Sequence, residues 1–327
     1  MPPVNRNEPV RAKSSESRYT LMEFMREFPD DATCLDWLWR NRYSADGEHA
    51  DCPICQRQTK FKRYGTSQQR QSWTCTSCGH HIHPTAGTIF HKSSTSLHLW
   101  FYGMYLMTST RCGISGKQLE REIGVTYKTA WRMFNQIRGA LVAEAMGSAL
   151  DGTVEIDETW IGGKPRYRAG GPQPARRKDG TRRPGRRTRE ESPNKKPVIG
   201  MVERGGQVRV FAVDNVGQGV AIPLVANYVL PSAIVYTDSA NAYDSLVSKG
   251  YAHQRIHHEA KVYVDGDVHT NTIEGFWSLV KRGIDGVYHA VSAKHLQGYL
   301  SEYAWRYNHR HDARTQFETL LLRTVGR

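Results

Sequence analysis

Nothing in this 327-residue chain is apolar for long enough to cross a membrane. The most apolar run, Leu97 to Met107, falls short of the roughly 20 residues a spanning helix needs, and it carries His98. The N-terminal residues lack the apolar core of a secretory signal, so the expected location is the cytoplasm, with no membrane partner. Cysteine is scarce: six in a chain of this size do not make a disulfide scaffold. Negative charge is in deficit, with 32 Asp and Glu against 45 Lys and Arg, a net +13. A polyphosphate is the first partner such a deficit suggests, although basic charge also serves solubility alone. The length predicts about two domains and ample chain for a buried core.

Four of the six cysteines fall in two pairs, Cys52-Pro-Ile-Cys55 and Cys75-Thr-Ser-Cys78, separated by the nineteen residues 56 to 74. A Cys-x-x-Cys pair brings two sulfurs to one ion from a tight turn, and two such pairs complete a tetrahedron. The spacing predicts one structural Zn²⁺ held by Cys52, Cys55, Cys75 and Cys78, with the metal standing in for a core too small to fold alone. A redox dithiol needs only one pair. The strand-like pieces Lys60–Tyr64 and Gln71–Thr74 between the pairs suit a zinc ribbon. Upstream, Asp31 is placed to cap a helix carrying Leu35, Leu38 and Trp39.

An apolar helix is predicted from about Ser96 to Thr108. After it, Ser115–Ile123 reads as a helix, Gly124-Val125-Thr126 as a tight turn, and Thr126 as the cap of a second helix reaching about Leu141. Ala130, Met133, Phe134, Ile137 and Leu141 share one face at helical spacing. Tyr127, Lys128, Thr129 and Arg132 are left exposed near the second helix's start, where a recognition helix meets base edges and phosphates. Helical hairpins of this length are also common in proteins that bind no DNA.

Between Lys164 and Lys196 lie thirteen basic side chains against Asp179, Glu190 and Glu191, ten of the chain's thirteen net positive charges. With its Gly and Pro, this stretch cannot build a core and reads as a loop. Arg176, Arg177, Lys178, Arg182, Arg183, Arg186 and Arg187 form its densest part, suited to backbone phosphates; a merely solvated charge run is the alternative.

The acidic residues that stand out sit in apolar surroundings. Thr153–Gly163 is strand-like, with Val154, Ile156 and Ile161, and carries Asp157 in its middle. Val235-Tyr-Thr-Asp-Ser239 offers Asp238, and His269-Thr-Asn-Thr-Ile-Glu274 offers Asn271 and Glu274. One embedded Asp is more often a structural hydrogen-bonder. Three acids on separate elements of a basic chain point instead to divalent metal acting on a phosphodiester. Pro197–Glu203 and Gln207–Val213 read as a hairpin about Gly205-Gly206, followed by a helix near Gly219–Val229 and a strand at Ile234–Thr237. Two helices close the pattern, one with Ile273, Phe276, Trp277 and Val280 on its apolar stripe and Asn271, Glu274, Ser278 and Lys281 on its polar one. The second carries Leu296, Tyr299, Leu300, Tyr303 and Tyr307. That order suits the mixed sheet and flanking helices of RNase H-like nucleases.

From about Met22 to Asn308 the chain resembles bacterial insertion-sequence transposases of the DDE type, nearest the family numbered fifteen ninety-five, the ISXO-like group. The ribbon, His83-Pro-Thr-Ala-Gly-Thr-Ile-Phe90, Ile156-Asp-Glu-Thr-Trp-Ile-Gly-Gly163, Tyr236-Thr-Asp-Ser239 and above all His269-Thr-Asn-Thr-Ile-Glu-Gly-Phe-Trp-Ser-Leu-Val-Lys-Arg282 carry the likeness. The resemblance implies that Asp157 and Asp238 are the first two metal-binding acids and Lys281 the lysine after the third. Family members use Glu or Asn at the third position; Glu274 is favoured over Asn271 because a charged oxygen binds Mg²⁺ better than an amide. It implies two Mg²⁺ or Mn²⁺ ions, strand cleavage and transfer at terminal inverted repeats, element and target DNA as partners, a homodimer or larger assembly on DNA, and nucleoid association when bound. A DNA-binding regulator without enzymatic activity, or a nuclease of the same fold that does not join, are the rival readings.

The expected fold class is a multidomain α+β or α/β chain. Residues 1–19 form a disordered tail, and 20–86 a helical lead-in and zinc ribbon. Residues 87–147 make a helix-turn-helix DNA-binding region, and 148–312 an RNase H-like DDE catalytic domain with its basic loop at 164–196. Residues 313–327 are a C-terminal tail.

Overall fold

Two units partition the chain, Met1–Arg111 with Asp312–Arg327, and Cys112–His311. The computed structural model describes residues 19–64, 72–110, 112–145, 147–162, 195–238, 241–256, 269–311 and 315–325. All of the tail expected at residues 1–19 except Tyr19, and the basic residues from Lys164 to Arg189, Arg176, Arg177, Lys178, Arg182, Arg183, Arg186 and Arg187 among them, lie outside the described residues.

In the first unit, helix α1 (Leu21–Glu27) starts at a reciprocal cap between Thr20 and Glu23. Helix α2 (Asp31–Arg42) is capped by Asp30, one residue before the expected Asp31. Asp30 accepts from the Thr33 N–H, whereas Asp31 accepts from the His98 N–H at 2.8 Å. Strands β1 (His49–Cys52), β2 (Arg57–Tyr64), β3 (Ser72–Cys75) and β4 (His81–Ile82) form an antiparallel sheet in that order. Its small core holds Leu35, Trp39, Phe61 and Trp73, with the indoles of Trp39 and Trp73 stacked at 4.8 Å. Helix α3 (Leu97–Ser109) begins at Ser96, whose hydroxyl accepts from Leu99 N–H. The stretch read as a C-terminal tail contains helix α9 (Gln316–Thr324). Phe317, Leu320, Leu321 and Thr324 are buried at helical spacing behind a Thr315 cap, and Phe317 packs among Tyr19, Phe24 and Phe28.

The second unit opens with α4 (Gly116–Ile123) and α5 (Tyr127–Ala145). Gly124 ends α4 with φ of 68°, a left-handed conformation that costs glycine little. The α4–α5 pair therefore falls in a different unit from α3, although all three lie within the region read as 87–147.

Five strands then build a mixed sheet in the order β7 (Val208–Ala212), β6 (Lys196–Glu203), β5 (Thr153–Ile161), β8 (Ile234–Thr237), β9 (Ala252–Arg255). β5, β6 and β7 pair antiparallel, whereas β8 runs parallel to β5 and β9 parallel to β8. Alternation assigns the faces. Val154, Ile156, Ile199 and Met201 pack with Ala221 and Val225 of α6 (Gln218–Tyr228). Ile161, Val198, Val202, Val208 and Val210 pack instead with α7 (Asn271–Gly283) and α8 (Leu296–Asn308). Each fully buried aliphatic side chain in these two layers contributes roughly 1.5–3 kcal/mol.

Behind α8 lies α5. Arg138 of α5 pairs with Glu302 of α8 at 2.8 Å, and Arg306 pairs with the other oxygen of Glu302 at 2.8 Å, all three side chains being buried. The Arg138 guanidinium also lies 3.8 Å from the centre of the Tyr299 ring. Burial alone would raise the Glu302 carboxyl; Arg138 and then Arg306 outweigh it and hold it below the ordinary range.

Candidate functional site

The alternation that puts Val154 and Ile156 against α6 turns Glu155 and Asp157 toward α7. Asp157 Oδ2 accepts a hydrogen bond from Trp277 Nε1 of α7 at 3.0 Å. The indole can lie there because Gly200 is Asp157's register partner on β6. A Cβ at Gly200 would come within 2.5 Å of Trp277 Cζ2 and 3.0 Å of Ile273 Cδ1.

β8 brings the second acid alongside. Its parallel register with β5 ends on the Ile156–Thr237 pair, so Asp157 and Asp238 are the next residues on adjacent strands. The third acid, Glu274, sits in the first turn of α7, and Thr270 donates to its Oε1 at 3.3 Å. Burial, then Asp238, then Glu274 push the Asp157 carboxyl up to about 7, although the Glu158 N–H and the Trp277 indole pull it down. Burial and like charge both disfavour the ionised form, which is the direction of this shift.

Asn271 is the first residue of α7 rather than its cap; that place belongs to Thr270, which makes no side-chain capping bond. Asn271, Glu274, Ser278 and Lys281 are all exposed, while Ile273, Phe276, Trp277 and Val280 are buried, so the two stripes of the helix fall where their spacing put them. No sequence pattern marks Glu155, a fully buried carboxylate that accepts from the Thr272 and Ile273 N–H groups at the start of α7, or Arg204, which donates to it.

The four paired cysteines come together in the first unit. Among the described residues they are the set of metal-type donors whose atoms all lie within 4.8 Å of one another. Cys52 and Cys78 sulfurs are 3.6 Å apart, and those of Cys55 and Cys75 3.9 Å. A tetrahedron of Zn–S bonds about 2.3 Å long has sulfurs roughly 3.8 Å apart, so the donor set fits zinc; a disulfide would need about 2 Å. The Thr59 hydroxyl, 3.3 Å from Cys75 Sγ, leads the donors that lower the Cys75 thiol, whereas Cys55 is raised, first by its contact with Cys78. Cys34 and Cys112 lie outside the quartet.

On the α4–α5 pair, Tyr127 and Lys128 are exposed, while Thr129 and Arg132 are half-buried. The Lys117 ammonium sits 4.7 Å from the centre of the Tyr127 ring. Thr126 Oγ1 accepts from the Thr129 N–H at 3.3 Å, the capping contact expected of it. Among the described residues, no helix is long and apolar enough to cross a membrane.

Comparison with known proteins bears on these features together. A family model described as an ISXO2-like transposase domain matches residues 149–308. A protein of transposable element ISH50 from Halobacterium salinarum is 34% identical over 259 residues, covering 78% of this chain and 84% of its own. A transposase-like protein of Haemophilus influenzae is 31% identical over 102 residues, 31% of this chain and 81% of its own. A chain in a crystal structure of a pre-cleavage Mos1 transpososome matches at 14% identity and a TM-score of 0.24, covering 65% of this chain and 75% of that one.

Proposed function

The chain belongs to the ISXO2-like transposase family, and on that premise we propose that it cleaves and joins DNA strands at the terminal inverted repeats of its element. The observation that carries this reading is the placement of Asp157 and Asp238 side by side on β5 and at the end of β8, with Glu274 in the first turn of the helix that bonds to Asp157 through Trp277. In a chain otherwise so basic, acids drawn from β5, β8 and α7 suit a cation. Their oxygens are the hard donors that Mg²⁺ or Mn²⁺ takes. Held by Asp157, Asp238 and Glu274, such ions would supply activation of the attacking oxygen and stabilisation of the leaving one. Trp277 holds the Asp157 carboxylate to one rotamer, Glu274 faces it from α7, and Lys281, farther along the same stripe, holds a phosphate. Asn271 offers an amide beside Glu274. A hairpin antiparallel to one side of β5 and parallel strands on the other support the RNase H-like reading of residues 148–312.

The cysteine quartet holds one structural Zn²⁺ and makes the small sheet a zinc ribbon. That ribbon and the α4–α5 pair, read as a helix-turn-helix, recognise element ends, with Tyr127, Lys128, Thr129 and Arg132 at the start of α5. The basic residues from Arg176 to Arg187 grip backbone phosphates of element and target DNA, and the protein works on DNA as a dimer or larger assembly. A strand-transfer assay tests the whole reading, using the purified protein, pre-cleaved element ends and Mg²⁺ or Mn²⁺. Joined product that disappears with Asp157→Ala supports it. Cleavage without joining would make the protein a nuclease, and end binding with neither reaction would make it a regulator.

A further inference from the structure

Two residues before Asp157, on the same face of β5, stands a second carboxylate, and its geometry excludes it from the metal-ligand set. Glu155 is fully buried. Its Oε2 accepts from the backbone N–H groups of Thr272 at 2.8 Å and Ile273 at 3.0 Å. Its Oε1 accepts from the Thr272 hydroxyl at 2.9 Å and Arg204 Nε at 2.7 Å, with His269 Nδ1 3.3 Å away. A carboxylate has roughly four lone-pair sites, and these four bonds fill them. No oxygen is left for an ion.

What Glu155 occupies is the N-terminus of α7. The first N–H groups of a helix lack partners within it and carry partial positive charge. Thr270 makes no side-chain cap for them, so a carboxylate from the neighbouring strand supplies the cap. Arg204 makes that support continuous, since its Nη2 donates to the His269 carbonyl at 2.9 Å, just ahead of the helix.

We propose that Glu155 is a positioning residue for the metal site, fastening α7 to β5 so that Glu274 is held facing Asp157. The helix has a second fastening at Trp277 Nε1, on Asp157 itself. Glu155 and Asp157, two residues apart on a strand, are separated by about 7 Å. Ile273 and Trp277, one turn apart, are separated by about 6 Å along the helix. The near match lets both bonds form at once, and Glu274 lies between the two fastened residues of α7. This assignment rests on the three-carboxylate reading above.

The test is Mn²⁺ binding to the zinc-loaded full chain, read as loss of the free-ion EPR signal, alongside thermal unfolding. Glu155→Gln keeps the shape but turns one acceptor into a donor facing donors. It should weaken Mn²⁺ binding by roughly 10- to 100-fold at temperatures where the variant is folded, as loss of a partner behind a ligand does. Thr272→Val should weaken it less, in the same direction. A lower melting temperature with unchanged Mn²⁺ affinity would make Glu155 a stabilising cap only and overturn the assignment. Loss as complete as that of Asp157→Ala would make it a ligand, which also overturns it. Should Glu155→Gln not fold, Thr272→Val decides, and unchanged Mn²⁺ binding sinks the proposal. If Asp157→Ala itself binds Mn²⁺ like the wild type, the metal-site reading fails instead.

Discussion

Trp277 Nε1 donates to Asp157 Oδ2 across the gap between α7 and β5. The same indole is buried in the layer between sheet and helix, so one side chain both packs α7 and orients the carboxylate. Trp277→Phe separates the two roles, because it keeps most of the ring and removes the donor. A hydrogen bond to a charged group is worth roughly 1.5–3 kcal/mol. Strand cleavage should therefore fall at least tenfold at temperatures where the variant is still folded. Unchanged cleavage kinetics would show that Asp157 needs no such support.

Gly200 is where this arrangement is least tolerant. The ring of Trp277 occupies the space a Cβ would need, and both the sheet and α7 are fixed around it. Gly200→Ala should cost about 1–3 kcal/mol through overpacking. The cost should shrink when combined with Trp277→Phe, whose smaller ring leaves room. Urea unfolding of the four proteins gives the coupling; strictly additive losses would mean that the two residues do not meet.

Zinc is expected at about one ion per chain, from the tetrahedral fit of the four sulfurs. Cys75→Ser should lower that content and weaken binding to element ends. It should leave the Cys112–His311 unit folded, since none of the quartet belongs to it. Metal analysis of a folded, DNA-binding preparation that contains no zinc would remove the ribbon from the account.

Much of this was legible because it is written in local periodicity. The apolar stripe of α7 and the alternation of β5 announce their elements, and the Cys-x-x-Cys pairs announce the quartet they form. β9 was not legible: Ala252-His-Gln-Arg255 is a half-exposed edge strand with no apolar alternation, paired only because β8 lies beside it. Glu155 was hidden for a different reason, since it caps a helix more than a hundred residues away. Trp277 was read as one more apolar residue of its stripe, and only the neighbouring strand reveals what its N–H does. Asp157, Asp238 and Glu274 were visible as acids out of place, but their mutual pressure depends on the β5–β8 register.

The Arg138–Glu302–Arg306 triad should give stability a distinct acid limb. The Glu302 carboxyl is held below its ordinary value, so its contribution is fully present above about 4.5, the unfolded value, and is lost as pH falls through the lower folded value. Glu302→Gln leaves two buried guanidiniums without their counter-charge, a loss of roughly 3–5 kcal/mol at neutral pH. The gap between wild type and variant should narrow as pH drops below that range. Urea unfolding followed by tryptophan fluorescence at several pH values measures it. A gap that stays constant down to acid pH would mean that the Glu302 carboxyl titrates alike in the folded and unfolded chain.

The third ligand is the sharpest remaining choice, between Glu274 and Asn271. Asn271 begins α7, exposed, and the capping of that helix is done by Glu155 from the strand, so the amide is not required to start the helix. Glu274 stands in the first turn of α7, the helix whose Trp277 bonds to Asp157. Its position in the first turn also suits a carboxylate, because the partial positive charge there favours the ionised form that a metal needs. Ala substitutions at Asp157, Asp238 and Glu274 should each abolish cleavage and joining and leave end binding nearly intact. Asn271→Ala should reduce the rate without abolishing it. Near-normal joining by Glu274→Ala, together with none by Asn271→Ala, would hand the third position to the amide.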